Sequence, residues 1–194
     1  MKILLFGKNG QVGSELSQSL QPLGKVTALD RNTNHEGLCG DITDFVKIHD
    51  VFEKICPDIV VNAAAYTAVD KAETNKQLCT ALNAEAPAYL AMAVEKRNGW
   101  LIQISTDYVF DGTKHTPYTE TDTPCPDSVY GSTKLAGELA VQKLCRRTMI
   151  IRTAWLYSTF GNNFVKTMLR LGQEKERLGV IFDQIGTPTY AHDL

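Results

Sequence analysis

Tyr130 and Lys134 stand four residues apart in the segment VYGSTKLAGE, whose pattern predicts a helix. Residues four apart share one face of a helix, so the Lys134 ammonium can approach the Tyr130 phenol. Because a neighbouring cation favours phenolate, we expect Lys134 to lower the pKa of Tyr130. A phenol tuned in this way can exchange a proton with a reacting oxygen. The pair alone is weak evidence, because amphipathic helices often contain this spacing.

A glycine-rich segment lies near the N-terminus. Gly7, Gly10 and Gly13 follow an apolar run and open a helical segment, with the spacing G-x-x-G-x-x-G. This spacing is related to the dinucleotide fingerprint, in which glycines allow a tight turn and close approach of the backbone to a pyrophosphate. The strand–turn–helix context favours nucleotide binding over a purely structural turn.

Two carboxylates follow the second predicted strand. Asp30 ends that strand, 17 residues after Gly13, where a carboxylate can accept hydrogen bonds from ribose hydroxyls or simply form a turn. Arg31 could reach a 2′-phosphate, so the choice between NADH and NADPH stays open. Asp41 could contact an adenine or cap the following helix.

Short apolar runs alternate with helical segments along the chain, which predicts an α/β fold with a doubly wound parallel sheet of the Rossmann type. The predicted strands are Lys2–Phe6, Lys25–Leu29, Ile59–Asn62, Trp100–Ser105 and Met149–Arg152. The predicted helices are Gln11–Leu20, Asp44–Ile55, Lys71–Lys96, Val129–Cys145 and Asn163–Lys175. Pro87 should break or bend the third helix. A short apolar run follows near Val180–Phe182.

Composition narrows the choice of partners and compartment. A net charge of −2 gives no reason to expect nucleic acid or an anionic membrane as a partner. No segment has the ~20 apolar residues of a membrane span. Five cysteines without a C-x-x-C pair favour a reducing cytoplasm over a disulfide framework. The four histidines show no metal-ligand spacing.

Seven segments carry a resemblance to the extended short-chain dehydrogenase/reductase superfamily and, within it, to the dTDP-4-dehydrorhamnose reductase family. They keep their order along the chain: FGKNGQVG, NAAAYTAVDKAE, STDYVFDG, VYGSTKLAGE, RTAWLY, GNNFVKTMLRL and DQIGTPT. The whole superfamily shares the glycine segment, whereas STDYVFDG and RTAWLY are more discriminating. The resemblance implies reduction of a nucleotide-activated 4-keto sugar, dTDP-4-dehydro-L-rhamnose, with NADPH or NADH as cofactor.

The resemblance also implies site residues. The catalytic residues would be Thr106, Tyr130 and Lys134. Cofactor contacts would come from Gly7, Gly10, Gln11, Val12, Gly13, Asp30, Asp41, Ile42, Ala65, Tyr66, Thr67, Ile104, Tyr130 and Lys134. Substrate contacts would come from Thr106, Asp107 and Trp155. Ser105 and Thr106 point to opposite sides of a regular strand, which leaves open which hydroxyl faces the carbonyl; the resemblance favours Thr106.

The family's two-lobed architecture implies a dinucleotide-binding domain over residues 1–155 and the start of a truncated substrate-binding lobe over 156–194. We therefore expect these residues to bind dinucleotide but to reduce a 4-keto sugar poorly on their own. Two alternatives remain: a nucleotide-sugar epimerase or dehydratase of the same superfamily, and a non-catalytic dinucleotide-binding regulatory subunit.

Some relatives hold a magnesium ion between subunits with glutamates. Glu15 matches one of these glutamates, but His192 stands in the place of another, so a metal site is not expected. The expected partner is a small nucleotide sugar, and a homodimer is left open. The product would serve cell-surface polysaccharides such as O-antigen.

Overall fold

The computed structural model describes all residues 1–194. Five strands form one sheet in the order β2-β1-β3-β4-β5, and every adjacent pair is parallel. They are β1 (Lys2–Phe6), β2 (Lys25–Leu29), β3 (Ile59–Asn62), β4 (Trp100–Thr106) and β5 (Thr148–Thr153). This order confirms the predicted doubly wound parallel sheet. Strands rich in apolar residues are typical of parallel sheets that are covered on both faces.

Seven helices accompany the sheet. They are α1 (Gln11–Ser19), α2 (Phe45–Ile55), α3 (Val69–Ala72), α4 (Lys76–Thr80), α5 (Ala86–Lys96), α6 (Val129–Leu144) and α7 (Phe164–Glu174). The side chains of Asp44, Ser128 and Asn163 each accept a hydrogen bond from a backbone N–H three residues later. These N-caps explain where α2, α6 and α7 begin.

Alternate residues of β1 enter two different cores. Leu4 and Phe6 pack with residues of α2, α5 and α6 on one face of the sheet. Ile3 and Leu5 pack with Leu16 of α1 on the other face. This alternation follows from the two-residue period of a strand. The chain changes direction between β1 and β3, where such sheets form a ligand-binding crevice at the carboxyl ends of the strands.

The predicted third helix is interrupted earlier than expected. Residues 73–75 separate α3 from α4, and the helical backbone continues through Pro87 after a π turn over Ala81–Glu85. Proline cannot sit against the carbonyl four residues earlier in a regular helix, here that of Asn83. That carbonyl faces α6, where a Cβ added at Gly137 would lie 2.1 Å from it. The π turn and Gly137 together accommodate Pro87.

The sequence pattern did not predict the small sheet after Trp155. Strands β6 (Leu156–Tyr157) and β7 (Thr189–Tyr190) pair in parallel. The predicted apolar run Val180–Phe182 forms no strand, and Phe182 is exposed. No helix of the chain is both long and apolar enough to cross a membrane.

Candidate active site

The carboxyl ends of the strands border a cleft of about 840 Å³. This volume is in the range of small-molecule and cofactor sites. The cleft brings together fifteen of the predicted residues: Gly7, Gly10, Gln11, Val12, Asp30, Asp41, Ile42, Ala65, Thr67, Ile104, Thr106, Asp107, Tyr130, Lys134 and Trp155. Gly13 and Tyr66 do not line it. Arg31, Ser105 and Thr153 line the cleft as well.

The glycine turn is packed too tightly for side chains. Gly7 has a φ of 87°, and a Cβ there would lie 2.7 Å from the Ala64 backbone nitrogen. A Cβ at Gly13 would lie 2.0 Å from the carbonyl oxygen of Gly7. Gly13 therefore allows close packing inside the turn and does not line the cleft. The turn directs the N-terminus of α1, capped by Gly10, toward the cleft.

Asp30 is held as a carboxylate at the edge of the cleft. The Asn32 backbone N–H donates to Oδ1 over 2.7 Å, and Asn9 Nδ2 donates to Oδ2 over 2.6 Å. Lys8 Nζ lies 3.6 Å from Oδ2. These contacts, with the Asn32 hydrogen bond as the largest cause, hold the pKa of Asp30 below its usual range. A charged carboxylate with free lone pairs can still accept further hydrogen bonds.

Asp41 has a local structural contact besides its place in the cleft. Its Oδ1 accepts hydrogen bonds from the backbone N–H and the hydroxyl of Thr43, over 3.0 and 2.6 Å. The N-cap of α2 is Asp44 instead. Ile42, beside Asp41, is buried in the main core. Asp41 therefore shapes the turn that brings this segment to the cleft.

Asn83 is a residue that the sequence analysis missed. Its Oδ1 accepts from the Tyr66 backbone N–H over 2.9 Å, and its Nδ2 donates to the Tyr66 carbonyl over 3.1 Å. The side chain is buried and fixes the backbone of the segment Ala65–Thr67. Asn83 lies in the π turn, a feature often found at functional sites. Pro87 inside a helical pattern was the available signal for that turn.

Lys134 and Tyr130 both reach the end of β4. Lys134 Nζ donates to the carbonyl oxygen of Ile104 over 2.7 Å. The Thr106 hydroxyl lies close enough to the Tyr130 phenol to influence its pKa. The Thr106 hydroxyl also donates to Asp107 Oδ1 over 3.1 Å and accepts from the Tyr108 backbone N–H over 3.2 Å. A proton-carrying phenol therefore lies beside a fixed hydroxyl.

The predicted lowering of the Tyr130 pKa by Lys134 was wrong. Burial raises the pKa of Tyr130 to about 12, and the nearby Thr106 hydroxyl opposes this shift only partly. Burial also lowers the pKa of Lys134 to about 8, against the opposing charge of Glu138. Desolvation dominates because both side chains are buried and the ammonium is bound to Ile104. The phenol is consequently neutral near pH 7, the form that can donate a proton.

The two neighbouring hydroxyls at the end of β4 differ in their contacts. The Thr106 hydroxyl makes the hydrogen bonds to Asp107 and Tyr108 described above, whereas Ser105 Oγ is buried without a partner. On the adjacent strand, Thr153 Oγ1 is also buried without a partner. Of these two hydroxyls, that of Thr106 influences the pKa of Tyr130 and lies beside the phenol.

Trp155 stands where the chain leaves the sheet. Its φ of 46° lies in the left-handed region, which is uncommon for a large side chain. The indole is half exposed, and a Cβ at Gly186 would lie 2.7 Å from it. The segment DQIGTPT therefore packs against Trp155 at the border of the cleft.

Glu15 of α1 contacts His192 near the C-terminus. Glu15 Oε1 accepts from the Ser158 hydroxyl over 2.9 Å, and Glu15 Oε2 lies 3.3 Å from His192 Nδ1. No group of three or more His, Cys, Asp or Glu side chains is arranged to hold a metal ion. The Glu15–His192 contact instead links α1 to the C-terminal segment.

A family model, the RmlD substrate binding domain, matches residues 1–194. The dTDP-4-dehydrorhamnose reductases of Shigella flexneri and Salmonella typhimurium are 51% and 50% identical to the chain over 191 residues, which is 98% of the chain. The chain spans 63% of the length of each of these relatives.

Solved structures are similar over the same range. A dTDP-4-dehydrorhamnose reductase from Clostridium acetobutylicum superposes with a TM-score of 0.92 at 45% identity, covering 100% of this chain and 67% of that one. One from Bacillus anthracis, solved in complex with NADP, gives a TM-score of 0.91 at 40% identity and covers 99% and 66%.

Proposed function

Because this chain belongs to the RmlD substrate binding domain family, we propose that it carries the dinucleotide site and the reacting groups of a dTDP-4-dehydrorhamnose reductase. The reaction is reduction of dTDP-4-dehydro-L-rhamnose to dTDP-L-rhamnose with NADPH or NADH. The observation that carries the proposal is the neutral Tyr130 phenol beside Thr106, with a buried Lys134 one turn further along the same helix. The product serves the synthesis of cell-surface polysaccharide.

The residues of the cleft fit a nicotinamide dinucleotide. The cradle of Gly7, Gly10 and Gly13, which added Cβ atoms would fill or crowd, leaves backbone N–H groups for a pyrophosphate. Asp30 is a charged acceptor for ribose hydroxyls, and Arg31 and Lys8 are cations within reach of a 2′-phosphate. When bound, the nicotinamide supplies the hydride for carbon 4 of the sugar. Both NADH and NADPH are therefore proposed as cofactors.

The protein's own groups act on the carbonyl oxygen of the sugar. Tyr130 donates its phenolic proton to that oxygen, and Thr106 hydrogen-bonds it as negative charge develops. The Lys134 ammonium stabilises the phenolate that remains on Tyr130, since an opposite charge favours the ionised form. Because this charge is fixed before the reaction and desolvated, it acts more strongly than in water.

The two regions of the chain contact different ligands in this proposal. Residues 1–155 bind the dinucleotide, and residues 156–194 with Asp107 and Trp155 face the nucleotide sugar. Two of the solved neighbours, at 22% and 24% identity, contain UDP and UDP-glucose together with NAD. All five cysteines are free thiols, which suits the cytoplasm.

The test uses the chain and a chimera in which the part of the Shigella flexneri reductase not matched by this chain is appended to it. Calorimetry with NADPH and NADH measures binding, and nicotinamide absorbance with product identification measures turnover. We expect both proteins to bind dinucleotide and the chimera to consume one equivalent per sugar reduced. Product formation without net cofactor consumption would favour an epimerase or dehydratase. Binding without turnover in either protein would favour a regulatory module.

A further inference from the structure

A partly buried ion pair joins α6 to β5 next to the proposed catalytic residues. Arg152 Nε donates to Glu138 Oε1 over 3.0 Å, and Arg152 Nη2 donates to Glu138 Oε2 over 2.6 Å. The Glu138 side chain is only 2% exposed and that of Arg152 is 26% exposed. This bidentate geometry fixes both groups in one relative orientation.

Fold stability alone is a weak reason for this pair. Removing two charges from water is costly, and apolar residues of similar volume often stabilise a protein as well or better. The α6 face beside Glu138 already packs apolar residues, since Val141 and Cys145 belong to the main core. A partly buried ion pair at this position is therefore better explained by the geometry and charge that it imposes.

The pair and Lys134 attach α6 to the sheet at two points, one helical turn apart. Lys134 is bound to the Ile104 carbonyl of β4, and Glu138 to Arg152 of β5. Arg152 lies in register with Ser105, directly before Thr106. Two attachments on neighbouring strands fix the rotation of α6 about its own axis, which determines where Tyr130 lies relative to Thr106.

Arg152 also contacts the segment that follows Thr106. Its guanidinium carbon lies 5.0 Å from the centre of the Phe110 ring, a cation–π distance. Phe110 stacks on Tyr118 with ring centres 4.1 Å apart. Between Thr106 and Phe110, the Tyr108 ring meets the Tyr130 ring edge-on at 5.5 Å. Arg152 thus connects α6 with the segment that borders the phenol.

We propose that Glu138 and Arg152 form a positioning unit for the reaction, which holds α6 and the Thr106–Phe110 segment so that Tyr130, Lys134 and Thr106 meet. This inference rests on the proposed function, because it assigns a purpose to the geometry of that site. Neither residue touches the reacting atoms; both act through Lys134, Tyr130 and Phe110.

Charge is the second contribution of the pair. Burial lowers the pKa of Lys134, and Glu138, one turn further along α6, is the main group that opposes this shift. Cys79 of α4 acts in the same direction to a smaller extent. Glu138 therefore helps to keep Lys134 protonated near neutral pH.

Two variants separate charge from geometry. Glu138→Gln removes the charge with little change of shape, and Arg152→Lys keeps the charge but loses the planar two-pronged contact. The matched control is Glu95→Gln, which removes a carboxylate from another Arg pair, Glu95–Arg146, whose residues do not line the cleft. Carbon-13 NMR of the chain with labelled lysines follows the titration of Lys134, and the Lys134→Met variant identifies its signal. The kinetic constants kcat and KM are measured in the chimera.

We expect Glu138→Gln to lower the pKa of Lys134 by about one unit. Arg152→Lys should leave that titration nearly unchanged and lower kcat about tenfold, with little effect on KM, because misplaced reacting groups lose rate. Glu95→Gln should change neither. Should Glu138→Gln fail to fold, the double variant Glu138→Leu/Arg152→Met replaces the pair with an apolar one that is expected to fold. The double variant should show the lower Lys134 pKa expected for Glu138→Gln and the loss of kcat expected for Arg152→Lys.

The proposal is overturned if the folded Glu138 and Arg152 variants show the same Lys134 pKa and the same kcat as Glu95→Gln. The Glu138–Arg152 pair would then be structural only. If the chimera shows no turnover, the proposed function fails. The positioning role is then decided by the Lys134 pKa and the dinucleotide affinity of the chain. If Glu138→Gln changes neither quantity, the positioning role is overturned.

Discussion

The ammonium of Lys134 donates to the carbonyl oxygen of Ile104 over 2.7 Å, although Lys134 shares a helix face with Tyr130. The end of β4 thus fixes the position of the Lys134 ammonium. Burial then lowers the pKa of Lys134 to about 8 and raises that of Tyr130 to about 12. At neutral pH the site contains a charged lysine and a neutral phenol, the protonation states that a proton donor with cationic support requires.

The first prediction is the pH dependence of the reaction. We expect kcat/KM of the chimera to fall as pH rises through about 8, where free Lys134 loses its proton. Tyr130 titrates only near 12, so it does not cause this fall. The measurement is a pH–rate profile at subsaturating sugar. A profile that stays flat up to the ordinary lysine range, about 10, would contradict the assignment.

Lys134→Met should make the fold more stable while it weakens cofactor binding and rate. The folded pKa of Lys134, about 8, lies below its usual 10.5, so the folded state disfavours the charged form. The resulting cost is fully present below pH 8 and disappears as pH rises to the unfolded value. We expect a gain on the order of 2–3 kcal/mol at pH 7. The Ile104 carbonyl keeps a hydrogen bond from Gln103 Nε2 in the variant.

Urea unfolding of wild type and Lys134→Met across pH checks this difference. Lys143→Met, an exposed change on the same helix, is the control and should alter stability little. If the difference in unfolding free energy between wild type and Lys134→Met does not decrease toward high pH, the assignment of Lys134 as a buried, charged lysine is contradicted.

Asp30→Ala should weaken NADH binding about tenfold or more, because a charged acceptor for the ribose hydroxyls is lost. NADPH should lose less, since its 2′-phosphate can still meet Arg31 and Lys8. Calorimetry with both dinucleotides measures this, with the exposed change Asp50→Ala as control. Unchanged NADH affinity in Asp30→Ala would remove this carboxylate from the site.

Gly13→Ala should prevent dinucleotide binding and destabilise the fold, because the new Cβ would lie 2.0 Å from the Gly7 carbonyl oxygen. A backbone clash of this kind forces the turn apart, and core overpacking costs about 1–3 kcal/mol or more. The control is Gly172→Ala in α7, where nothing lies within 4 Å of the added atom. It should be neutral or slightly stabilising. If the Gly13→Ala protein is as stable as wild type and binds dinucleotide with the same affinity, the prediction is contradicted.

The sequence predicted the sheet well and the polar contacts poorly. All five strands are short segments rich in apolar residues, and the burial of these residues makes such segments recognisable without knowledge of their partners. Strands β6 and β7 are two residues each and pair across more than thirty positions, so no local pattern reveals them. The partners of Lys134 and Asn83 depend on how α6 packs against the end of β4 and how the π turn packs against the segment after β3, which side-chain spacing does not encode.

The pKa of Tyr130 shows the same limit. A four-residue spacing correctly places a cation and a phenol on one helix face. It contains no information on burial, and here burial of the phenol, rather than the Lys134 charge, sets the direction of the shift.

The most direct test of the account is Tyr130→Phe in the chimera, with turnover and NADPH affinity measured on the same sample. The phenol is the proposed proton donor, and a positioned general acid contributes about 10²–10⁴-fold to a rate. We predict a loss of at least about a hundredfold in kcat, with nearly unchanged NADPH affinity because the ring is retained. A loss below about tenfold in a folded, NADPH-binding variant would contradict the role of Tyr130 and with it the proposed mechanism.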